Sequence, residues 1–264
     1  MLVVLAATIA LVGAGGAAPG DEARRTVAEL AALGPRPAGL PGAEGRARAL
    51  VSDRLRRLGY RVVLQDVRLP NGRVAQNVVG LGEGRPRVVL VAHLDGVPGS
   101  PAANDNASGV AVLLELARAL RGRPGVLVAA TAAEERVVTR SRVHLGSLRL
   151  LRGISPRARR EMRLAVSLDM VGVGTRLHVR GIEATPNRSA RLLLAQRLRA
   201  TYLRDRGDSD HAELSRGGMP AAWVQWRTDR CWHSPCDTAS RVDAARLQTA
   251  YELVRRAALR ALAP

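Results

Sequence analysis

Hydrophobic and polar residues along the chain follow two periods, one typical of helices and the other of strands. Apolar residues at helical spacing occupy 21–33, 43–58, 107–120, 187–202 and 242–262. Short runs typical of strands occupy 60–67, 73–79, 88–91, 126–130, 164–168, 175–179 and 221–225. The first two strands flank Pro70-Asn71-Gly72, a turn sequence that predicts a hairpin.

The order of these elements indicates the class of fold. Beyond the hairpin, strands alternate with helices, and several strands are apolar throughout, as expected when both faces of a sheet are covered. The pattern predicts a doubly wound α/β fold with a mostly parallel, mixed sheet and helices on both faces. A chain of 264 residues suits one such domain, which we expect over 19–264.

Residues 1–18 are apolar and end in the small residues Ala14-Gly15-Gly16-Ala17-Ala18. This resembles the apolar region and cleavage zone of a secretory signal peptide, although the usual basic residues before it are missing. An uncleaved membrane anchor and a first core element are the alternatives, since the run approaches the roughly 20 residues that span a bilayer. We expect an exported protein, secreted or held in the cell envelope.

The charge balance is strongly basic, with a formal net charge of +18. Every basic residue is Arg, because the chain contains no Lys, and it also lacks Phe. Such usage indicates a GC-rich coding bias, and base-stacking aromatic residues are nearly absent. We therefore interpret the arginines as a solvated surface and expect no nucleic-acid partner.

Candidate chemistry lies where strands end or loops begin, which is where α/β folds gather their functional groups. Imidazoles and carboxylates suit zinc, and two of each could hold a pair of ions, so the set predicts a two-metal hydrolase. The residues are His93, Asp105, Glu134, Glu135, Asp169 and His233.

Single motifs allow more than one interpretation. His93 and Asp95 lie two apart at a strand end, so one can bind metal while the other fixes its orientation. Asp105 on its own would be a helix N-cap, but its loop of small residues would also let a carboxylate approach two ions. Adjacent Glu134 and Glu135 after an apolar strand are costly to bury unless bound, and one of them could act as a general base.

Cys231 and Cys236 flank His233, with Asp237 available to accept a hydrogen bond from its ring. A disulfide loop is the simplest interpretation in an exported protein, with a pair of buried thiols or a metal site as alternatives. His144 and His178 have no partner in sequence, and we interpret both as ordinary histidines. Ser209-Asp210-His211 cannot converge as a serine triad requires.

Together the motifs resemble the co-catalytic zinc aminopeptidases of the bacterial leucyl aminopeptidase and aminopeptidase Y type, a family that also includes glutaminyl cyclases. The resemblance runs from about residue 43 to the C-terminus. It implies two zinc ions, one bound by His93 and Asp169 and the other by Glu135 and His233. It also implies that Asp105 bridges them and that Glu134 is the general base.

The same resemblance implies roles around the metals. Asp95 would hold a metal-binding side chain in place without binding the metal itself. The two cysteines would form a disulfide, and Asp210 and His211 would lie near the substrate pocket. The residue before the last histidine is Trp232, as in glutaminyl cyclases, whereas the aminopeptidases often have Tyr there. Trp232 is expected at the pocket too.

We therefore expect a monomeric zinc exopeptidase, an aminopeptidase acting on peptides. One alternative is a glutaminyl cyclase with a single zinc. Another is a non-catalytic protein that uses its Arg-rich surface to hold an anionic polymer, although a complete ligand set together with Glu134 argues against it.

Overall fold

The computed structural model describes residues 17–135 and 144–264, and its strands form one eight-stranded sheet in the order β1-β2-β4-β3-β5-β8-β6-β7. The predicted leader, 1–18, lies outside the described residues except for its last two. The strands are Arg61–Arg68 (β1), Val74–Leu81 (β2), Val88–His93 (β3), Val126–Thr131 (β4), Leu164–Leu168 (β5), Arg176–Gly181 (β6), Thr201–Arg204 (β7) and Ala221–Arg227 (β8).

The sheet is mixed, with a parallel centre and antiparallel pairs towards both sides. Strands β4, β3, β5 and β8 run parallel, whereas β1 with β2, β2 with β4, and β6 with β8 are antiparallel. The outermost strand, β7, runs parallel to β6. The predicted hairpin is confirmed as β1 and β2, in which Arg68 pairs with Val74 across the turn.

Helices cover both faces of this sheet. They are Pro19–Ala32 (α1), Ala43–Arg57 (α2), Ser108–Leu120 (α3), Leu145–Arg152 (α4), Pro156–Arg160 (α5), Arg188–Leu194 (α6), His211–Arg216 (α7) and Ala244–Leu262 (α8). Buried side chains of α1, α2, α3, α6 and α8 form the larger core with one face. Those of α4, α5 and α7 pack on the other face. Among the described residues, no helix combines the length and apolar character needed to cross a membrane.

Alternating side chains explain why both faces are apolar. In β3, Val88, Leu90 and Ala92 point into the larger core, while Val89 and Val91 point into the smaller one. The predicted α/β class with helices on both faces is therefore confirmed. The prediction of one domain over 19–264 remains a prediction.

One predicted element is wrong. The helix expected over 187–202 ends at Leu194, and Thr201–Arg204 is instead strand β7, paired with β6. Arg197 and Arg199 adopt positive φ angles of 57° and 55°, which a continuous helix does not allow. The apolar spacing continues past the helix end because Leu198 and Tyr202 also pack against the larger core.

Candidate metal centre

Strands β3 and β5 are neighbours, and they place His93 and Asp169 together at the carboxyl edge of the sheet. His93 is the last residue of β3, and Asp169 follows β5 directly. The Nε2 atom of His93 lies 3.4 Å from Asp169 Oδ1. The other ring nitrogen, Nδ1, lies 3.1 Å from the main-chain carbonyl oxygen of Asp95, which orients the ring and leaves Nε2 facing the carboxylates.

Asp105 lies between the two histidines of the site. Its Oδ1 atom is 3.1 Å from His93 Nε2, and its Oδ2 atom is 3.2 Å from His233 Nε2. The side chain is buried, at 5% exposure. Each carboxylate oxygen therefore faces a different group of potential ligands.

The loop that carries Asp105 is an irregular turn, Ala103–Ala107, held from three directions. Asp237 accepts hydrogen bonds from the backbone N–H groups of Asn104 and Asp105, at 2.7 and 3.0 Å. Asn104 Oδ1 accepts from Gly172 N–H, and Asn106 Nδ2 donates to the carbonyl oxygen of Leu168, the residue before Asp169. Asp237 thus holds the Asp105 loop. It was expected to accept a hydrogen bond from the His233 ring, but its side chain makes no such hydrogen bond.

Asp95 holds the two glutamates in a similar way. Its carboxylate accepts the backbone N–H groups of Glu134 and Glu135, at 3.1 and 3.2 Å. Asp95 therefore serves β3 and β4 at once, through its carbonyl to the His93 ring and through its side chain to the segment after β4. Sequence reasoning expected support from Asp95 but did not identify these glutamate N–H groups.

His233 lies in a loop that the Cys231–Cys236 disulfide closes. Its backbone has φ of 54°, and its ring stacks on Trp232 with centroids 4.1 Å apart. The Nε2 atom lies 2.9 Å from Glu135 Oε2, in addition to its contact with Asp105. Glu135, Asp105 and His233 therefore form a second group of candidate ligands beside the first.

The pKa values reflect carboxylates crowded in a buried space. Burial raises the pKa of Glu135 to about 7, although a hydrogen bond from His233 opposes it. Burial, with repulsion from Glu135 and Asp169, raises the pKa of Glu134 well above its usual range. Burial lowers the pKa of His233, but Asp105 and Glu135 outweigh this and bring it to about 10. A divalent cation binding here would therefore compete with protons.

The donor atoms fit zinc in type and in spacing. His93 Nε2 and Asp169 Oδ1 are buried and make no hydrogen bond. Tetrahedral ligands about 2.0 Å from zinc lie about 3.3 Å from one another. The contacts of His93 and His233 with their carboxylates, from 2.9 to 3.4 Å, match that spacing. Apart from the histidines, no basic side chain of the described residues pairs with these carboxylates.

A cleft of about 700 Å³ opens over these groups. Four of the candidate ligands (Asp105, Glu135, Asp169 and His233) and Glu134 line it, together with His144, Met170, Arg180, Asp208, Trp223, Gln225, Arg227, Thr228, Asp229 and Trp232. Trp232 also lines the cleft and is 56% exposed.

Asp210 and His211 do not line the cleft, and both are fully buried. Asp210 accepts hydrogen bonds from Thr131 Oγ1 and Ser147 Oγ. The His211 ring contacts Asp205 through Nε2, at 2.9 Å, and lies against Trp223. Asp210 and His211 therefore lie beneath the surface of the cleft, where they contact other side chains and not the open space of the cleft.

The model of peptidase family M28 matches residues 77–258, which include every candidate ligand. The chain belongs to peptidase family M28. This confirms the resemblance inferred from the motifs and makes the chain a member of a hydrolase family.

Several known proteins are similar to this chain in sequence or in fold. Aminopeptidase YwaD of Bacillus subtilis is 30% identical over 213 residues, covering 72% of this chain and 45% of that protein. The structure of BSAP, a zinc aminopeptidase from Bacillus subtilis, superposes with a TM-score of 0.83 at 20% identity, covering 92% of this chain and 95% of that one. Tannerella forsythia glutaminyl cyclase superposes with a TM-score of 0.76 at 22% identity, covering 92% and 97%. The chain spans about half the length of the curated relatives that it matches.

Two residues that contact this site, His144 and Arg36, are not predicted from the sequence. His144 was interpreted as an ordinary histidine, yet its Nε2 lies 3.3 Å from Glu134 Oε1 and its Nδ1 lies 3.6 Å from Glu213 Oε1. Arg36 is 1% exposed and donates to the carbonyl groups of Leu94 and Ala102, which flank the His93 and Asp105 loops. The sequence does not indicate these contacts of His144 and Arg36, because the partner residues are distant along the chain or lie outside any recognised motif.

The disulfide generates a first prediction. Protein recovered from an oxidising compartment should contain Cys231 and Cys236 as a bonded pair, detectable by mass spectrometry as a loss of two hydrogens that reduction reverses. Replacing both by Ser should loosen the His233 loop and weaken metal retention, because His233 depends on that loop for its position. Two free thiols in the exported protein would contradict this prediction.

Proposed function

We propose that the chain is a two-zinc aminopeptidase that removes N-terminal residues from peptides. The observation that carries this proposal is the position of Asp105, whose two oxygens face different histidines 3.1 and 3.2 Å away. His93 and Asp169 would hold one ion, and Glu135 and His233 the other, with Asp105 shared. The similarity to YwaD, which carries the name aminopeptidase, supports the activity.

A bound zinc pair would supply Lewis-acid polarisation of the scissile carbonyl and of the attacking water. The protein would supply the groups that move protons. Glu134 lies in the cleft and is 6% exposed, so its carboxylate can reach a substrate while remaining largely shielded from solvent. It would accept a proton from the attacking water and transfer it to the leaving amine, as a general base and then a general acid.

His144 would position this base. The ring lies 3.3 Å from Glu134 Oε1, and its backbone N–H donates to the Glu134 carbonyl oxygen at 3.1 Å. Glu213 lies on the opposite side of the ring. These contacts favour one orientation of the Glu134 carboxylate, which reduces the cost of placing it for proton transfer.

The remaining parts of the proposal concern substrate and location. We expect a peptide substrate, a monomer and an exported protein, secreted or anchored in the envelope. The disulfide supports an oxidising compartment.

Glutaminyl cyclisation on one zinc is the second candidate. Trp232 favours it, and a glutaminyl cyclase is among the similar structures. The shared position of Asp105 favours two ions instead. Measuring zinc per chain while assaying a leucyl anilide beside an N-terminal glutaminyl peptide separates the two candidates. About two zinc ions with anilide hydrolysis supports the aminopeptidase, whereas one zinc with cyclisation alone overturns it.

Asp105→Asn tests the shared ligand. An amide is a poor bridge between two cations, so at least one zinc should be lost and activity should collapse while the protein stays folded. If Asp105 only capped the following helix, the change would cost about 1 kcal/mol or less, because Asn caps nearly as well as Asp. Zinc stoichiometry and melting temperature are measured against the parent and against Asp66→Asn on exposed β1. Full metal and full activity in Asp105→Asn would end the two-zinc proposal.

Glu134→Ala tests the general base. The variant should retain zinc, because Glu134 is assigned to neither ion, and should lose turnover by roughly two to four orders of magnitude. Zinc content and kcat are measured on the same preparation. Near-native turnover with full zinc would show that another group moves the proton.

His144→Gln tests the positioning contact. Turnover should fall by about tenfold, which corresponds to about 1.4 kcal/mol in the activation barrier, with zinc content and KM little changed. Glu213→Gln should act in the same direction but more weakly, since it reaches Glu134 only through His144. The pH dependence of kcat should shift in His144→Gln because the surroundings of Glu134 change. An unaltered kcat and pH profile would assign His144 a structural role alone.

A further inference from the structure

The wall of the cleft beside the candidate metal centre carries a buried arginine that the proposed reaction does not use. Arg180 on β6 is 8% exposed, and its guanidinium lies over the Trp223 ring, 4.1 Å from the ring centroid. Trp223 donates from Nε1 to the main-chain carbonyl of Asp169, at 2.9 Å. Arg180 is therefore fixed against a side chain that itself contacts a candidate ligand residue.

The hydrogen bonds of Arg180 do not use all of its donors. One Nη1 N–H donates to Gln225 Oε1 at 3.0 Å, and one Nη2 N–H donates to Asp208 Oδ2 at 3.3 Å. A guanidinium has five N–H groups, so three remain. The Nε atom is buried and makes no hydrogen bond, although it lies 3.7 Å from Asp205 Oδ2. Asp208 is 54% exposed, and ion pairs of that kind contribute only about 0–1 kcal/mol to stability. The guanidinium is held in place but can still accept another anion.

Further positive charge lies on the same face of the sheet. In the antiparallel pair of β6 and β8, Arg180 pairs with Trp223 and Arg176 pairs with Arg227, so all four side chains point to one side. Like charges directly across two strands are destabilising. Arg176 and Arg227 are exposed, and neither forms an ion pair with a described residue. An anion bound beside this pair would reduce the repulsion.

The cleft is therefore polarised along its length. Carboxylates crowd the end at β3, β4 and β5, while Arg180 and Arg227 line the wall formed by β6 and β8. Asp208 and Asp229 also line the cleft, but they are paired with Arg180 and Arg241. The arginines at the second end also act on a neighbouring histidine. The pKa of His178, which lies between Arg176 and Arg180, is lowered by partial burial and then by Arg227 and Arg180. A short peptide that places its N-terminal ammonium group among the carboxylates would extend towards Arg180 and Arg227. A negatively charged group further along the peptide would then lie near these arginines.

We propose that Arg180, with Arg227, forms a subsite for a carboxylate of the peptide substrate. The inference rests on the proposed peptidase function and adds a class of substrate to it. A planar guanidinium suits a carboxylate because the two can form paired, charge-assisted hydrogen bonds. The carboxylate belongs either to an acidic side chain or to the free C-terminus of a short peptide, and the experiment separates these two sources.

The experiment compares charged substrates with uncharged isosteres on the zinc-loaded protein. One arm measures kcat/KM for glutamyl against glutaminyl anilide, and the other for a leucyl dipeptide against its C-terminal amide. The parent should favour the carboxylate by about tenfold or more in one arm, which identifies the source. In Arg180→Gln the ratio should fall towards one, and in Arg227→Gln it should fall partly. Arg157→Gln, an exposed arginine on α5, is the matched control and should keep the parent ratio.

Binding without turnover provides an independent measurement. In the Glu134→Ala background, calorimetry should give a lower Kd for the preferred carboxylate ligand than for its uncharged isostere, and Arg180→Gln should remove the difference. If Arg180→Gln does not fold, as its melting curve would reveal, exposed Arg227→Gln provides the same comparison. Equal values for both members of each pair in the parent, or a preference that survives both substitutions, would overturn the subsite. Failure to hydrolyse leucyl anilide would instead count against the proposed function, while the calorimetric comparison would still decide the subsite.

Discussion

The constraint on which this structure depends is the burial of several carboxylates in one small volume at the edge of the sheet. Asp105, Glu134, Glu135 and Asp169 are each less than one-tenth exposed. Burying an ionised group costs several kcal/mol unless an opposite charge lies close by. The histidines provide part of that charge by holding protons, as the pKa of about 10 for His233 indicates. Divalent cations would provide it more fully, so the same feature that strains the fold also creates affinity for metal.

Such a site needs rigid support, because mutually repelling groups would otherwise move apart. The support comes from a second layer of carboxylates that bind backbone N–H groups. Asp95 holds the segment of Glu134 and Glu135, and Asp237 holds the turn of Asp105. Each of these two carboxylates fixes a stretch of main chain, so the positions of the candidate ligands depend on backbone geometry. Burial raises the pKa of Asp237 to about 6, against the two N–H groups that it accepts, so this anchor is strongest above that pH.

The sequence allowed the fold class and the groups at the strand ends to be predicted because both follow from local patterns. Strands β3, β4 and β5 are apolar runs, and His93, Glu134 and Asp169 stand just at or beyond their ends. The roles of His144 and Arg180 could not be predicted, because their partners come from other elements. Glu213, for instance, reaches His144 from α7. Strand β7 was missed for a related reason, since its pairing with β6 outweighs the helical spacing of its apolar residues.

Arginine usage has a structural consequence that composition alone does not reveal. A coding bias would place Arg wherever any basic residue serves, yet Arg36 donates to the carbonyl groups of Leu30, Leu94, Pro101 and Ala102. A lysine has three N–H donors on one nitrogen and could not reach four acceptors in different directions. Burial lowers the pKa of Arg36 to about 10, partly offset by Asp95, so it remains charged at neutral pH behind the acidic site. Arg180 depends on the same planar shape for its contact with Trp223. At these two positions the guanidinium is required by geometry.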